Sequence, residues 1–531
     1  MDIQGVQTEL RLHDDSFADW LKVKTDSGKT ILKKKQWSQD PSVLMRRTAQ
    51  ISCLRKCLKT TDLNENIFNQ ISQAELKARE VLKSDEPFAD ECYGQLLFRH
   101  DLLKPINYIP FFLIVLRFWK IYIQPASAIL MPLTAIILPY ILIRFFFGLP
   151  MPISTYITII KEFYTGNGFQ GLMPTPELDG QLAQVTAQAK SKAPQDFLGK
   201  IKFYAQTGWL VFSFLQSLWQ PIQAAQHLAV LDKTLCEQGA AIRTIFTSAT
   251  TIRDTYTRMG IKVPRLPIEA SEVADDRMAV ATCLDSPDRF RLLLELVGEW
   301  EVFYRFATHN DICLVQWLPI QQTPYIKLTN TFDIHIDPTS RIPISVTLGS
   351  RKNSQHALLT GPNRGGKSTA LRSIGRSVFI AHNFGVAIGS AAIMTPLNYI
   401  QTCLRLEDIP GNSSLFEREV AVASLALARS NTPGLLLIDE LFHSTNPPDA
   451  EIASRIFLEQ LWKSHSTISV ISTHMFQLLN EEHNIQQLCC PATEDSDHKV
   501  IYHYGLARGV CKVSSVREIL QECGLISLRK L

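Results

Sequence analysis

The stretch HALLTGPNRGGKSTALRSIG (356–375) decides the fold of the C-terminal part of this chain. A short apolar run, His356 to Thr360, leads into Gly361-x-x-x-x-Gly366-Lys367-Ser368, and a helical pattern follows. Strand, glycine loop, then helix is the order of a P-loop. Gly361, Gly365 and Gly366 let the backbone curl so that its N–H groups point inward at phosphate oxygens, and the helix that starts there adds its dipole. The expected nucleotide cradle is therefore Gly361, Pro362, Asn363, Arg364, Gly365, Gly366, Lys367, Ser368 and Thr369. In it Lys367 supplies a point charge for the β- and γ-phosphates, and Ser368 a hydroxyl for Mg²⁺. The expected cofactors are ATP and Mg²⁺.

Two further strands complete that reading. GLLLIDE (434–440) is an apolar run ending in two carboxylates. Asp439 at the strand's end is placed to hold Mg²⁺ and Glu440 to orient the attacking water, a division that suits phosphoryl transfer, where positioning and charge neutralisation carry most of the catalysis. TISVIST (467–473) ends in His474, which is placed to meet the γ-phosphate or the water. The expected catalytic residues are Glu440, Lys367 and His474, and the expected metal ligands Ser368 and Asp439.

Upstream the composition changes twice. Residues 1–104 read as a polar, mainly helical head, and its acidic start, MDIQGVQTELRLHDDSFADW, has no apolar h-region of the kind a secretory signal carries. Residues 105–160 are apolar: IYIQPASAILMPLTAIILPYILI (121–143) has no charge between Lys120 and Arg144. As a helix it is about 34 Å long at ~1.5 Å per residue, enough to cross a hydrocarbon layer of ~30 Å. Pro125, Pro132 and Pro139 would interrupt a soluble helix, whereas membrane helices tolerate proline better. The shorter run FFFGLPMPISTYITII (145–160) reads as a second short span, a re-entrant segment or an interfacial helix. If both cross, they form a transmembrane hairpin with both chain ends on one side, the cytosol where ATP is. The expectation is thus a membrane association through residues 121–160, with the ATPase domain facing the cytosol.

Residues 161–320 read as a helical connector. They contain a third uncharged run, Phe203 to Leu231, whose five glutamines point to buried helices of a soluble connector rather than lipid. Over the 531 residues, 46% are hydrophobic and 20% charged, which excludes a disordered or fibrous chain. Lysine and arginine total 54 against 51 acids, so any DNA affinity would rest on a local patch. The 11 cysteines form no CxxC pair and no disulfide framework.

Five segments in order resemble the MutS family of DNA mismatch-repair ATPases, over roughly residues 320–525. TGPNRGGKST (360–369) resembles that family's Walker A, LLLIDE (435–440) its Walker B, and STHMFQL (472–478) its threonine-histidine switch. NSSLFEREV (412–420) is similar to the family signature that reaches across a dimer toward the partner's nucleotide, a role the resemblance carries to Ser414, Phe416 and Glu419. YGLARGVCKV (504–513) is similar to the segment closing the domain. The resemblance implies an α/β P-loop NTPase domain, MutS/ABC-like, over 321–531, preceded by the mainly helical region with its candidate transmembrane hairpin. It implies Mg-dependent ATP hydrolysis to ADP and phosphate, a homodimer through the ATPase domain, and DNA as a partner. This sequence departs from the family at LFHSTNPPDA (441–450), where a glycine-rich loop is usual, and has no segment matching the wedge that reads mismatches. A membrane-associated mechanochemical P-loop ATPase, ABC-like and without mismatch recognition, is the alternative; against an ABC transporter ATPase, no LSGGQ-like segment occurs.

Overall fold

A computed structural model describes residues 3–12, 15–34, 37–59, 65–83, 93–164, 197–320, 323–349, 354–404, 414–479, 485–495 and 499–525. The chain forms two compact units: residues 1–72, 247–267 and 290–531 make one, residues 73–246 and 268–289 the other.

The first unit is built on two large sheets and a two-stranded one, β11 (Ala492–Glu494) with β12 (Val500–Tyr502). In the larger, β4 (His356–Thr360), β7 (Tyr399–Cys403), β8 (Gly434–Ile438), β9 (Thr467–Ser472), β10 (Gln486–Cys489) and β13 (Ala507–Arg508) lie in the order β13-β10-β4-β9-β8-β7. All neighbouring pairs are parallel except β10 with β13. Every residue of β4, β8 and β9 is buried, as the unbroken apolar runs of their sequences demand for strands covered on both faces. Each large apolar side chain so buried contributes about 1.5–3 kcal/mol. The order has a direct consequence for the site: β9 lies between the P-loop strand β4 and the acidic strand β8, so all three parallel strands deliver their C-terminal ends to one edge. A second, five-stranded sheet contains β1 (Ile312–Trp317), β2 (Ile326–Thr331), β3 (Ile344–Leu348), β5 (Val386–Ile388) and β6 (Ala391–Met394).

The helix Lys367–Phe384 follows the P-loop and is buried along most of its length. Near its middle, Arg376 is fully buried, its Nε donating to the Leu10 carbonyl at 2.5 Å and its guanidinium paired with Asp333. N-terminal segments thus pack into the same unit as the P-loop. Glu301, also fully buried, accepts hydrogen bonds from the backbone N–H groups of Lys24 (2.7 Å) and Thr25 (2.9 Å) and from the Thr25 hydroxyl (2.6 Å).

In the second unit the apolar region forms one helical rod, Pro110–Phe146, of 37 residues. It runs through Pro132 and Pro139 and contains π-helical turns at Trp119–Ile123 and Leu142–Phe146. Its most apolar stretch is wholly uncovered, and among the described residues it is the one helix long and apolar enough to cross a membrane by length and composition. Beyond Gly148 lies the helix Ile153–Tyr164, whose 12 residues reach about 18 Å, too short to span. Tyr156 stacks near Tyr140 with ring centroids 5.0 Å apart and donates its hydroxyl to the Ile136 carbonyl, folding this helix back onto the rod.

The run 203–231 corrects the expectation of buried helices. It lies within one helix, Phe197–Arg258, of 62 residues. Trp209, Val211, Phe212, Leu215, Trp219 and Ile222 are all exposed, Trp209 at 70%. The glutamines that suggested a soluble connector are exposed as well: Gln216, Gln220 and Gln223 line one stripe rather than facing a core.

Candidate active site

The P-loop backbone needs conformations that a Cβ resists. Gly361 has φ 148°, and a Cβ there would lie 2.9 Å from the Cys490 carbonyl oxygen. Gly366, the N-cap of the helix Lys367–Phe384, has φ 98°. Behind them, Thr360 donates its hydroxyl to the Leu488 carbonyl at 3.3 Å and accepts from Cys511 N–H at 3.1 Å, which locks the loop to the strand end.

The loop encloses Lys367. Its ammonium donates to the carbonyls of Gly361 (3.1 Å) and Pro362 (3.3 Å) and lies 2.9 Å from His474 Nε2. Burial pushes its pKa below the usual lysine range, against the opposing pull of Glu440 and Asp439. The same His474 nitrogen stands 3.3 Å from Glu440 Oε1. One ring nitrogen cannot accept from the ammonium and donate to the carboxylate at once, so His474 serves one of the two in each tautomer. Lys367, His474 and Glu440 therefore form a continuous line across the strand ends.

Glu440 is itself strained, with φ 57° in the left-handed region. Its N–H donates to Ser472 Oγ at 2.9 Å, and that hydroxyl donates to Asp439 Oδ1 at 2.5 Å. Ser472, the last residue of β9, thus fixes both members of the acidic pair; it lies inside the switch segment, but no residue type or spacing announced this role. The hydrogen bond with His474 holds the Glu440 carboxyl below the usual carboxylate range, with the fields of His474 and Lys367 acting in the same direction. Glu440 is thereby kept ionised.

A cleft opens from the loop. It is lined by residues 362–370 together with Asp333, Ile336, Ser340, Ile342, Arg372, Glu440 and Tyr504. Ser368 lies in this cleft, while Asp439 lines an adjoining one together with Glu419, Phe442 and His443. The donors fit Mg²⁺: one hydroxyl and one carboxylate leave the remaining positions to nucleotide oxygens and water. Consistent with that, among the described residues no group of three or more His, Cys, Asp or Glu side chains could hold a metal alone. Asp333, Arg372 and Tyr504 were not singled out in the sequence, because the cleft assembles them from separate segments.

Of the signature residues, Glu419 lines the same cleft as Asp439 and Glu440. Ser414 caps the helix Leu415–Arg429, its Oγ accepting from Glu417 N–H at 3.3 Å. Phe416 lies against Phe442, centroids 5.9 Å apart. Glu419 is buried, accepts from the Ser444 hydroxyl and stands 2.8 Å from His443 Nδ1.

Residues 357–525 match the model of MutS domain V. Over these residues the chain carries a MutS-type ATPase domain. It is 28% identical over 246 residues to the probable DNA mismatch repair protein Msh6 of Drosophila melanogaster, covering 43% of this chain and 20% of that protein. It is 26% identical over 196 residues to the DNA mismatch repair protein MSH6 of Arabidopsis thaliana, covering 35% and 15%. The match thus spans a fifth or less of the length of these relatives. MutS domain V is a P-loop ATPase domain, which implies nucleotide binding within 357–525, the range that also contains Gly361–Thr369, Asp439, Glu440 and His474.

Proposed function

We propose that the chain hydrolyses ATP to ADP and phosphate in a Mg²⁺-dependent reaction, as a homodimer through its MutS domain V, anchored to a membrane by its apolar rod. The observation that carries this is the Lys367–His474–Glu440 line at the mouth of a P-loop. On nucleotide binding, the Lys367 ammonium exchanges the carbonyls of Gly361 and Pro362 for β- and γ-phosphate oxygens. The loop N–H groups take the remaining phosphate oxygens. Glu440, ionised, orients water for attack on the γ-phosphorus, and the bond to ADP breaks. Ser368 and Asp439 would hold Mg²⁺, which neutralises charge on the phosphates when bound. His474, able to face either neighbour, couples the state of the ammonium to that of the carboxylate.

Ser414, Phe416 and Glu419 are proposed to act on the partner's nucleotide. Their present contacts to Glu417, Phe442 and Ser444 define the arrangement that such an action would exchange. The apolar rod within 110–146, with the following segment to residue 160, anchors the protein with its ATPase domain in the cytosol. DNA, named in the titles of both relatives, is proposed as a ligand. A second reading, a membrane-associated mechanochemical ATPase without mismatch recognition, is favoured by the exposed rod and by the confinement of the family model to residues 357–525.

Glu440→Gln and Lys367→Ala test the chemistry. The first should retain ATP and lose turnover; the second should lose binding. Wild-type turnover by Glu440→Gln would remove Glu440 from its role. Stimulation of hydrolysis by duplex, mismatched or branched DNA, compared with lipid vesicles, separates the two readings.

A further inference from the structure

The exposed face of the long helix Phe197–Arg258 has no counterpart in the ATPase chemistry. Its N-terminal half carries no Asp, Glu, Lys or Arg between Lys202 and Asp232. As a helix that stretch extends about 43 Å at ~1.5 Å per residue, more than a hydrocarbon core of ~30 Å; its glutamines leave it less apolar than the rod Pro110–Phe146, which among the described helices is the one that meets the composition of a span, so its uncovered tryptophans and its ion-paired end carry the argument. Trp209 is 70% and Trp219 59% exposed, and a soluble surface rarely leaves so many large apolar side chains together in water.

A second observation fixes where this stretch begins. Asp232, buried at its C-terminal limit, is held by Arg277 through contacts of 2.9–3.2 Å and by Arg117 Nε at 2.9 Å. Arg117 stands two turns into the apolar rod, one turn before its uncharged part. One ion-paired node therefore joins the two helices at the ends of their uncharged stretches. Along the long helix, Trp219 lies about 20 Å and Trp209 about 35 Å from Asp232 at ~1.5 Å per residue. Trp119 follows Arg117 by two residues. Tryptophan favours the two membrane interfaces, and Trp209 lies about one hydrocarbon thickness along the long helix from Asp232.

We infer that residues 203–231 are a second membrane crossing, returning antiparallel to the rod Pro110–Phe146, with the Arg117–Asp232–Arg277 node at the cytosolic headgroup level. The occupant of the exposed face is the lipid bilayer. The helix Ile153–Tyr164, folded back on the rod, then lies on the far part of the rod and is not the return span. Gln216, Gln220, Gln223 and His227 recur at helical spacing on one stripe. In lipid, such a polar seam turns to another helix, where side-chain amides hydrogen-bond across the interface. The inference rests on the proposed membrane anchor but specifies a different return segment from residues 145–160.

The full chain in phosphatidylcholine vesicles brominated at defined acyl positions tests it. Bromine quenches tryptophan only on contact, so the emission lost in Trp119→Phe, Trp209→Phe and Trp219→Phe variants reports each depth. Deep bromines should quench Trp219 most, and shallow ones Trp209 and Trp119. Equal shallow quenching of Trp209 and Trp219, or none at either while Trp119 is quenched, overturns the second crossing and leaves the anchor standing. Failure of the protein to float with vesicles overturns the anchor itself.

Discussion

Protonation of His382 should unlock the helix that carries the P-loop lysine. His382 lies about four turns beyond Lys367 on the helix Lys367–Phe384 and is fully buried. Its Nδ1 lies 3.0 Å from the Val378 carbonyl, and its Nε2 accepts from Leu397 N–H at 2.9 Å. That pair of contacts requires the neutral ring. Burial lowers its pKa from 6.5 to about 4. In the unfolded chain the ring binds its proton at the higher pH, so His382 contributes stability that is fully present above about pH 6.5 and lost as pH falls through about 4. At ~1.4 kcal/mol for each pH unit between the two values, the window is worth about 3 kcal/mol, of which about 2 kcal/mol disappears between pH 7 and pH 5. Trp37 stacks on the ring with centroids 4.2 Å apart, and a protonated ring would recover up to about 1 kcal/mol from it, less than the loss. Because His356 is also buried with a lowered pKa, wild type alone cannot isolate the effect. Urea unfolding of wild type and His382→Gln, followed by tryptophan emission at pH 7, 6 and 5, does so. The variant should be less stable at pH 7 yet lose about 2 kcal/mol less than wild type on acidification. Identical pH slopes would refute the reasoning.

Other consequences concern the site and its support. His474→Ala removes the hydrogen bond that lowers the Glu440 pKa, so the acid limb of the hydrolysis–pH profile should move to higher pH; an unmoved limb would mean that His474 does not tune Glu440. Arg376→Ala leaves Asp333 buried without its main partner and should cost about 3–5 kcal/mol, measured by thermal unfolding, whereas Arg376→Met with Asp333→Asn should recover most of it. Gly361→Ala forces a Cβ against the Cys490 carbonyl and an unfavourable φ, and should lower ATP affinity in equilibrium binding by tenfold or more, ~1.4 kcal/mol. Ser472→Ala should reduce turnover more than ATP binding, since the Ser472 hydroxyl fixes Asp439 and Glu440.

The chemistry was legible in the sequence because each piece of it is local. Gly361 to Thr369 is one contiguous segment, Asp439 and Glu440 are adjacent, and His474 lies two residues beyond the strand that the sheet order places between them. The spacing of fully apolar runs was enough to expect strands there, since both faces of those strands are covered. What the sequence did not disclose depends on partners far along the chain. Arg376 meets Asp333 and the Leu10 carbonyl, and Glu301 meets the amides of Lys24 and Thr25; no periodicity links such positions. The long helix failed for a different reason. Five glutamines in an apolar run lower its average hydropathy, but average composition says nothing of which face they occupy, and Trp209, Phe212 and Trp219 remain uncovered. Near the signature the sequence indicated residues by resemblance, while their contacts within the chain, Glu419 with Ser444 and His443, could come only from coordinates.

Direct measurement of nucleotide binding and turnover by the purified full chain bears most closely on the central claim. With Mg²⁺ present, wild type should bind ATP and release phosphate, Glu440→Gln should bind ATP and release almost none, and Lys367→Ala should bind poorly. A wild-type protein that neither retains nor consumes ATP would contradict the account.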